Sequence, residues 1–194
     1  MKKLLLFVVV LSLSFVTTAQ EESIRFGAKA GLNLSNFTGD DADDLDMRTS
    51  FHIGALVEIP ISETFAFQPE LLYSSQGAQF EEEGVDFKSI VNYINIPLIL
   101  KYYVSEGFSL QAGPQIGILA SAKAKAEGNG AEVDVDAKDL YKGIDFGLNL
   151  GLGYQLEAGI FFDARYNIGL ANIIDEDDAD AKNSVIQISV GYKF

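Results

Sequence analysis

The chain has 194 residues, 48% of them hydrophobic, with a mean hydropathy of +0.14 and a formal net charge of −14. That length suits one domain with a sizeable buried surface, and the acidic balance excludes a nucleic-acid binder, which needs a basic footprint, and opposes peripheral attachment to an anionic membrane surface. Cysteine is absent, which removes disulfide scaffolds, thiol chemistry and cysteine metal sites.

The N-terminus, MKKLLLFVVVLSLSFVTTAQ, places Lys2 and Lys3 before an apolar run from Leu4 to Val16 and the small residues Thr17, Thr18 and Ala19. This is the layout of a secretory signal cleaved after Ala19. The expected organisation is a signal peptide over 1–19 and a single domain over 20–194. The run is shorter than the roughly 18 to 20 residues of a spanning helix, and no later apolar stretch escapes interruption by Gly, Asn, Gln, Glu or Lys.

From residue 24 onward one pattern recurs. Ile24, Phe26, Ala28, Ala30, Leu32 and Leu34 alternate with Arg25, Gly27, Lys29, Gly31, Asn33 and Ser35. Successive strand side chains point to opposite faces, so this sorting predicts a strand with one greasy and one polar surface. Further segments follow. Phe51 to Ile59 sets His52, Gly54 and Glu58 against apolar neighbours, Phe65 to Tyr73 does the same with Gln68 and Glu70, and YINIPLILKYYV over Tyr93 to Val104 with Asn95 and Lys101. Phe108 to Ala120, Asp145 to Leu156, Ile160 to Leu170 and Ile186 to Phe194 complete the set. The reading is all-β: eight antiparallel strands of about ten residues, the length that crosses a bilayer when tilted, with no helical segment to cover the sheet.

Connections alternate in character. Pro60 to Thr64, Ser105 to Gly107 and Glu157 to Gly159 are tight, whereas Thr38 to Asp46, Phe80 to Lys88, Lys123 to Asp139 and Asp175 to Lys182 are expected to be long polar loops. In an up-and-down meander this puts every short turn at one end and every long loop at the other, as in outer-membrane barrels. A soluble carrier barrel of the lipocalin kind would instead turn the greasy face inward. Three observations favour lipid outside. The greasy face is continuous, the opposite face is rich in glycine as a crowded narrow interior requires, and aromatic rings such as Phe65, Tyr102, Phe108, Tyr154, Tyr192 and Phe194 sit near strand ends. The expected fold is an eight-stranded antiparallel up-and-down transmembrane β-barrel.

The stretches FGAKAGLNLSNF, FQPELLYSSQGA, YINIPLILKYYV, AGPQIGILASAK and DARYNIGLANI resemble the small outer-membrane β-barrel proteins of the porin family, or PorT-like barrel domain. The C-terminal QISVGYKF resembles the signal read by the barrel-assembly machinery, with Tyr192 and Phe194 at its aromatic positions and Ser189 in place of the usual glycine. The resemblance implies localisation in the outer membrane of a Gram-negative bacterium, and lipid, lipopolysaccharide and the assembly machinery as partners of a monomer. It also carries two alternatives, a narrow passive pore for small solutes and an accessory barrel of an envelope secretion system.

By strand parity the lumen receives Arg25, Lys29, Lys101, Arg165 and Lys193 against Glu58, Glu70, Asp145 and Asp163. Unpaired charges are costly in a small lumen, so this near balance predicts a packed ion-pair network, with Glu70 and Arg165 as its preferred members, over an open channel. His52, the single histidine, lies on the inner face and no nucleophile motif accompanies it, so no enzymatic role is expected. Acidic runs lie in two long loops, including Asp41, Asp43 and Asp44 in one and Asp177 and Asp178 in the other. Clustered carboxylates suit Ca²⁺ or Mg²⁺, but neither run has EF-hand spacing. The expected role is that of a structural or interaction protein presenting acidic extracellular loops.

Overall fold

The computed structural model describes residues 23–39, 45–82, 84–128, 131–176 and 180–194; the expected signal peptide lies outside them. The strands are β1 (Arg25–Thr38), β2 (Asp46–Pro60), β3 (Phe65–Glu82), β4 (Val85–Ser105), β5 (Phe108–Gly128), β6 (Ala131–Asp136), β7 (Ile144–Gln155), β8 (Ile160–Gly169) and β9 (Lys182–Lys193). Each of β1 to β5 pairs antiparallel with the next, β5 continues to β7, then β8 and β9, and β9 returns to β1. Eight strands thereby close into a ring, which leaves no edge inside the bilayer. The short β6 stands outside the ring, paired with the upper end of β5.

The faces follow parity. Phe26, Leu32, Phe51, Leu71, Leu110, Leu150, Phe162 and Val190 point outward, while Lys29, Asn33, His52, Glu70, Gln111 and Arg165 are buried within. Among the described residues the greasy set therefore faces away from the interior, and the soluble-carrier alternative fails. Among the described residues no helix is long and apolar enough to cross a membrane. At the short-turn end an aromatic band runs around the outside, with Phe65 and Tyr102 rings 4.9 Å apart and Phe108 opposite Tyr154. Two tight turns rest on glycine: Gly107 (φ +75°) and Gly159 (φ +86°) occupy the left-handed region that other residues avoid.

Two expected loops are not loops. Phe80 to Lys88 is the tip of the β3–β4 hairpin, with Phe80 opposite Phe87 and Glu82 opposite Val85. Most of Lys123 to Asp139 is the β5–β6 hairpin, followed by a 3-10 turn at Lys138–Leu140. Their charge density suggests solvated coil, yet Phe80 and Phe87, or Val133 and Val135, still alternate with charged neighbours, and pairing satisfies the backbone. As a result β4 and β5 run 21 residues each, about twice what a tilted crossing needs. The upper parts of β3, β4 and β5, together with β6, form a four-stranded sheet standing clear of the ring.

Space inside the ring is tight. A Cβ built on Gly31 falls 2.0 Å from the Ile188 carbonyl oxygen and 2.7 Å from Ser189 Cα, both backbone atoms that cannot swing away. Gly31→Val is expected to cost about 1–3 kcal/mol by overpacking. A lower urea midpoint for the heat-modifiable folded band on gels would register it, and an unchanged midpoint would contradict the close approach.

Candidate functional site

The lumen is the natural place to seek a channel, and its contents can be followed from the short-turn end upward. Four buried cations, Lys29, Lys101, Arg165 and Lys193, face four buried anions, Glu58, Glu70, Asp145 and Asp163. They do not form one network. In the first tier Glu58 of β2 accepts from Lys193 of β9 at 2.5 Å, Lys101 of β4 at 3.0 Å and the Tyr103 hydroxyl at 2.8 Å. Lys193 also donates to Gln155 Oε1 at 2.8 Å and lies over the Phe161 ring. Arg25 belongs only to the rim of this tier, 3.9 Å from Glu58 with its side chain 45% exposed. Its place at the very start of β1 puts it at the mouth, which corrects its assignment to the lumen interior.

The second tier is denser. Arg165 donates from Nη1 to Glu70 Oε2 at 2.9 Å and from Nη2 to Glu70 Oε1 at 2.7 Å, a bidentate pair. Its Nε donates to Gln111 Oε1 at 2.6 Å, and Gln111 Nε2 donates to Asp163 Oδ1 at 2.7 Å. Lys29 Nζ sits 2.7 Å from Glu70 and 3.9 Å from Asp163, and Gln68 donates to Glu70 at 2.6 Å. In ring order β3 and β8 lie four steps apart in either direction, so the Glu70–Arg165 pair spans the barrel's full width. Glycine on the neighbouring strand makes room, since a Cβ on Gly151 would lie 2.6 Å from Arg165 Cγ.

Above the ions the filling is neutral. Asn33 donates to Ser74 Oγ and Ser75 O, and its Oδ1 accepts from Gln187. His52 Nδ1 is 2.8 Å from Asn33 Oδ1 and Nε2 is 2.8 Å from Ser189 Oγ. An amide oxygen only accepts, so Nδ1 carries the proton and Nε2 accepts from the serine. This Ser189–His52–Asn33 relay has the connectivity of a nucleophile, base and orienter, but all three side chains are buried and Gly31 is pressed against Ser189 Cα, leaving no approach for a substrate. Asp145 is inward but stands apart: it accepts from Asn183 at 2.8 Å and makes no ion pair among the described residues, because β7 carries it two polar tiers above the cations.

At the long-loop end the interior becomes apolar. Phe37, Ala78, Val91, Tyr93, Leu119, Ala122, Ile173 and Ala181 form one buried cluster with Leu45, Tyr141 and Ile174 against it. The segment between β8 and β9 is stitched down over it. Ile173 donates to Ala181 O, Lys142 donates to Ile173 O, and Asp175 donates to Leu140 O. Tyr141 shares a 2.6 Å hydrogen bond with Ser89, and burial pushes its hydroxyl pKa up. Parity alone could have identified Gln68, Gln111 and Tyr103 as partners of the ions. The apolar cap had a weaker signal, in Phe37, Val91 and Leu119 falling on the inward parity. The loop carboxylates Asp41, Asp43, Asp44, Asp177 and Asp178 lie outside the described residues, and among the described residues no group of three or more His, Asp or Glu side chains is placed to hold a metal ion.

These tiers lead to a contrast. Arg165→Met leaves Glu70 buried with Lys29 as its one remaining cation and is expected to lose about 3–5 kcal/mol, part of which Glu70→Gln in the same chain restores. Asp145→Asn is expected to cost under about 1 kcal/mol, since a hydrogen-bonded carboxylate is exchanged for an isostere. Urea unfolding of the refolded protein in micelles measures both, and equal losses would refute the tiered arrangement.

Comparison with known proteins agrees with this architecture. The family model described as outer membrane protein beta-barrel domain matches residues 18–175. Among solved structures, the attachment invasion locus protein Ail of Yersinia pestis is 16% identical, with 88% of this chain and 98% of that one covered and a TM-score of 0.53. Neisserial surface protein A is 13% identical, with coverage of 89% and 100% and a TM-score of 0.55. At such identities the likeness is one of fold. No curated protein matches.

Proposed function

On the premise that this chain belongs to the outer membrane protein beta-barrel domain family, we propose that it is a non-conducting interaction barrel, which holds ordered β-hairpins and acidic loops outside the outer membrane in which it sits. The observation that carries this reading is the filling of the lumen from end to end: a pair of charges across its width, a hydrogen-bonded middle and an apolar cap. An eight-stranded interior is only wide enough for side chains, and here glycines are spent to fit them. A passive pore needs a continuous wet path, and the capped, packed interior argues against one. The members of this family are typically non-enzymatic, in keeping with the enclosed Ser189–His52–Asn33 relay.

Partner assignments extend the same reading. The outward aliphatic and aromatic belt engages outer-membrane lipid, with lipopolysaccharide around the long-loop end. Tyr192 and Phe194, exposed on the outer side of the final strand, serve as the assembly signal. A monomer is sufficient, because the ring is already closed.

In a planar bilayer the refolded protein is expected to be electrically silent under conditions where its folded gel band persists. Discrete, reproducible channels would overturn the non-conducting reading. Removing Phe194 is expected to lower assembly into the outer membrane in cells while leaving detergent refolding unchanged; parallel losses in both assays would make Phe194 a stability residue instead.

A further inference from the structure

We propose that the free edge of β6 is a docking site for an extended peptide of alternating apolar and basic residues, which adds to the extracellular sheet as a further antiparallel strand. The inference rests on the reading of the protein as an interaction barrel and names the kind of partner it takes.

The first observation is topological. Among the described strands β6 alone has a partner on one side only. The phase of its pairing is set by the Ala137 amide, which donates to Ala122 O at 3.1 Å. Backbone groups alternate in direction along an antiparallel pair, so those of Val133 and Val135 turn toward β5 and those of Glu132 and Asp134 turn to the open side. Such a row of unpaired donors and acceptors is a template for another strand.

The second observation is the chemistry of the two faces. On the side continuous with the lumen, Val133 and Val135 are 58% and 57% exposed. They border an apolar hollow of about 350 Å³ shared with Phe37, Phe80, Phe87 and Ala126. Phe80 and Phe87 are stacked there, 4.8 Å apart. On the opposite side β6 presents Glu132, Asp134 and Asp136. Lys125 and Lys123 of β5 reach Glu132 and Asp134 at 3.0 and 3.4 Å from the inner flank, leaving the outer flank of both acids open. A strand laid along this edge meets apolar surface on one face and carboxylates on the other, so its own side chains must alternate apolar and basic.

Other occupants fit poorly. The loop segments outside the described residues, DDADD over 40–44 and DDA over 177–179, are acidic and offer only alanine to an apolar hollow. A second copy pairing edge to edge in antiparallel register sets Asp134 against Asp134 and Glu132 against Asp136, or, shifted by one pair, Glu132 against Asp134, and like charges directly opposite are repelled.

The test uses the full chain in zwitterionic phosphatidylcholine nanodiscs, with empty nanodiscs as control, and fluorescent peptides of sequence KVKVKVK and EVEVEVE. Fluorescence anisotropy at physiological ionic strength is expected to show saturable binding of the first and none of the second. In the antiparallel arrangement the lysine amides face β6 and the valine amides face away. N-methylation at the lysine amides is therefore expected to weaken binding by at least about tenfold, while methylation at the valine amides leaves it within about threefold. Amide hydrogen exchange at Glu132 and Asp134 is expected to slow when the peptide is bound. Equal binding of the two methylated peptides, or no binding of KVKVKVK at all, would overturn the proposal. Either result in a protein that remains electrically silent leaves the interaction-barrel reading standing, whereas channel activity would overturn that reading on separate grounds.

Discussion

The arrangement of the whole interior depends on one bidentate pair, Arg165 with Glu70, stretched between opposite walls of the barrel. Either charge left uncompensated at that depth would be costly, and each is held by further groups: Gln111 and Asp163 on the arginine, Lys29 and Gln68 on the glutamate. A buried ion pair is weak evidence for net stability. Its contribution here is geometric, because two planar groups meeting fork to fork across the lumen are compatible with a single relative height of β3 and β8. Since strand register in a closed ring is shared by every strand, one such bar constrains them all.

Around this bar the two ends of the lumen are closed by different means. The short-turn end uses charge again, with Glu58 gathering Lys101, Lys193 and Tyr103 from strands β4 and β9 that do not pair with its own. The long-loop end uses apolar packing, with Ile173 folded in from the β8–β9 connection onto Phe37, Tyr93 and Leu119. The difference follows from position. The interior at membrane depth is walled by strands whose outer faces must be greasy, so polarity is confined within; above the membrane the outer face meets water and the inner face is free to become the apolar one. The same period-two alternation thus serves two opposite purposes along β3, β4 and β5, and its inversion produces the extracellular sheet with charge on its outer face and Phe80, Phe87, Val133 and Val135 on the other.

Much of this was legible in sequence. The eight ring strands, their tight turns, the outward greasy face and the inward placement of Lys29, Glu58, Glu70, Lys101, Asp145, Asp163 and Arg165 all follow from alternation read residue by residue. The failures are equally specific. Phe80 to Lys88 and Lys123 to Asp139 read as polar loops because charge density outweighs short alternating runs, and Arg25 reads as interior because parity does not report height.

What the sequence determined by itself is the face each side chain takes, since alternation is a local property of extended backbone and needs no knowledge of distant residues. Which side chains meet was decided only by the tertiary structure. The Glu70–Arg165 contact, the separation of Asp145 from the ion pairs among the described residues, the Ser189–His52–Asn33 relay and the cap around Ile173 all depend on how far each strand is shifted against its neighbours when the sheet closes. That shift is a property of the complete ring, settled by packing among side chains as distant in sequence as Asn33 and Gln187, 154 positions apart, and no single strand carries it.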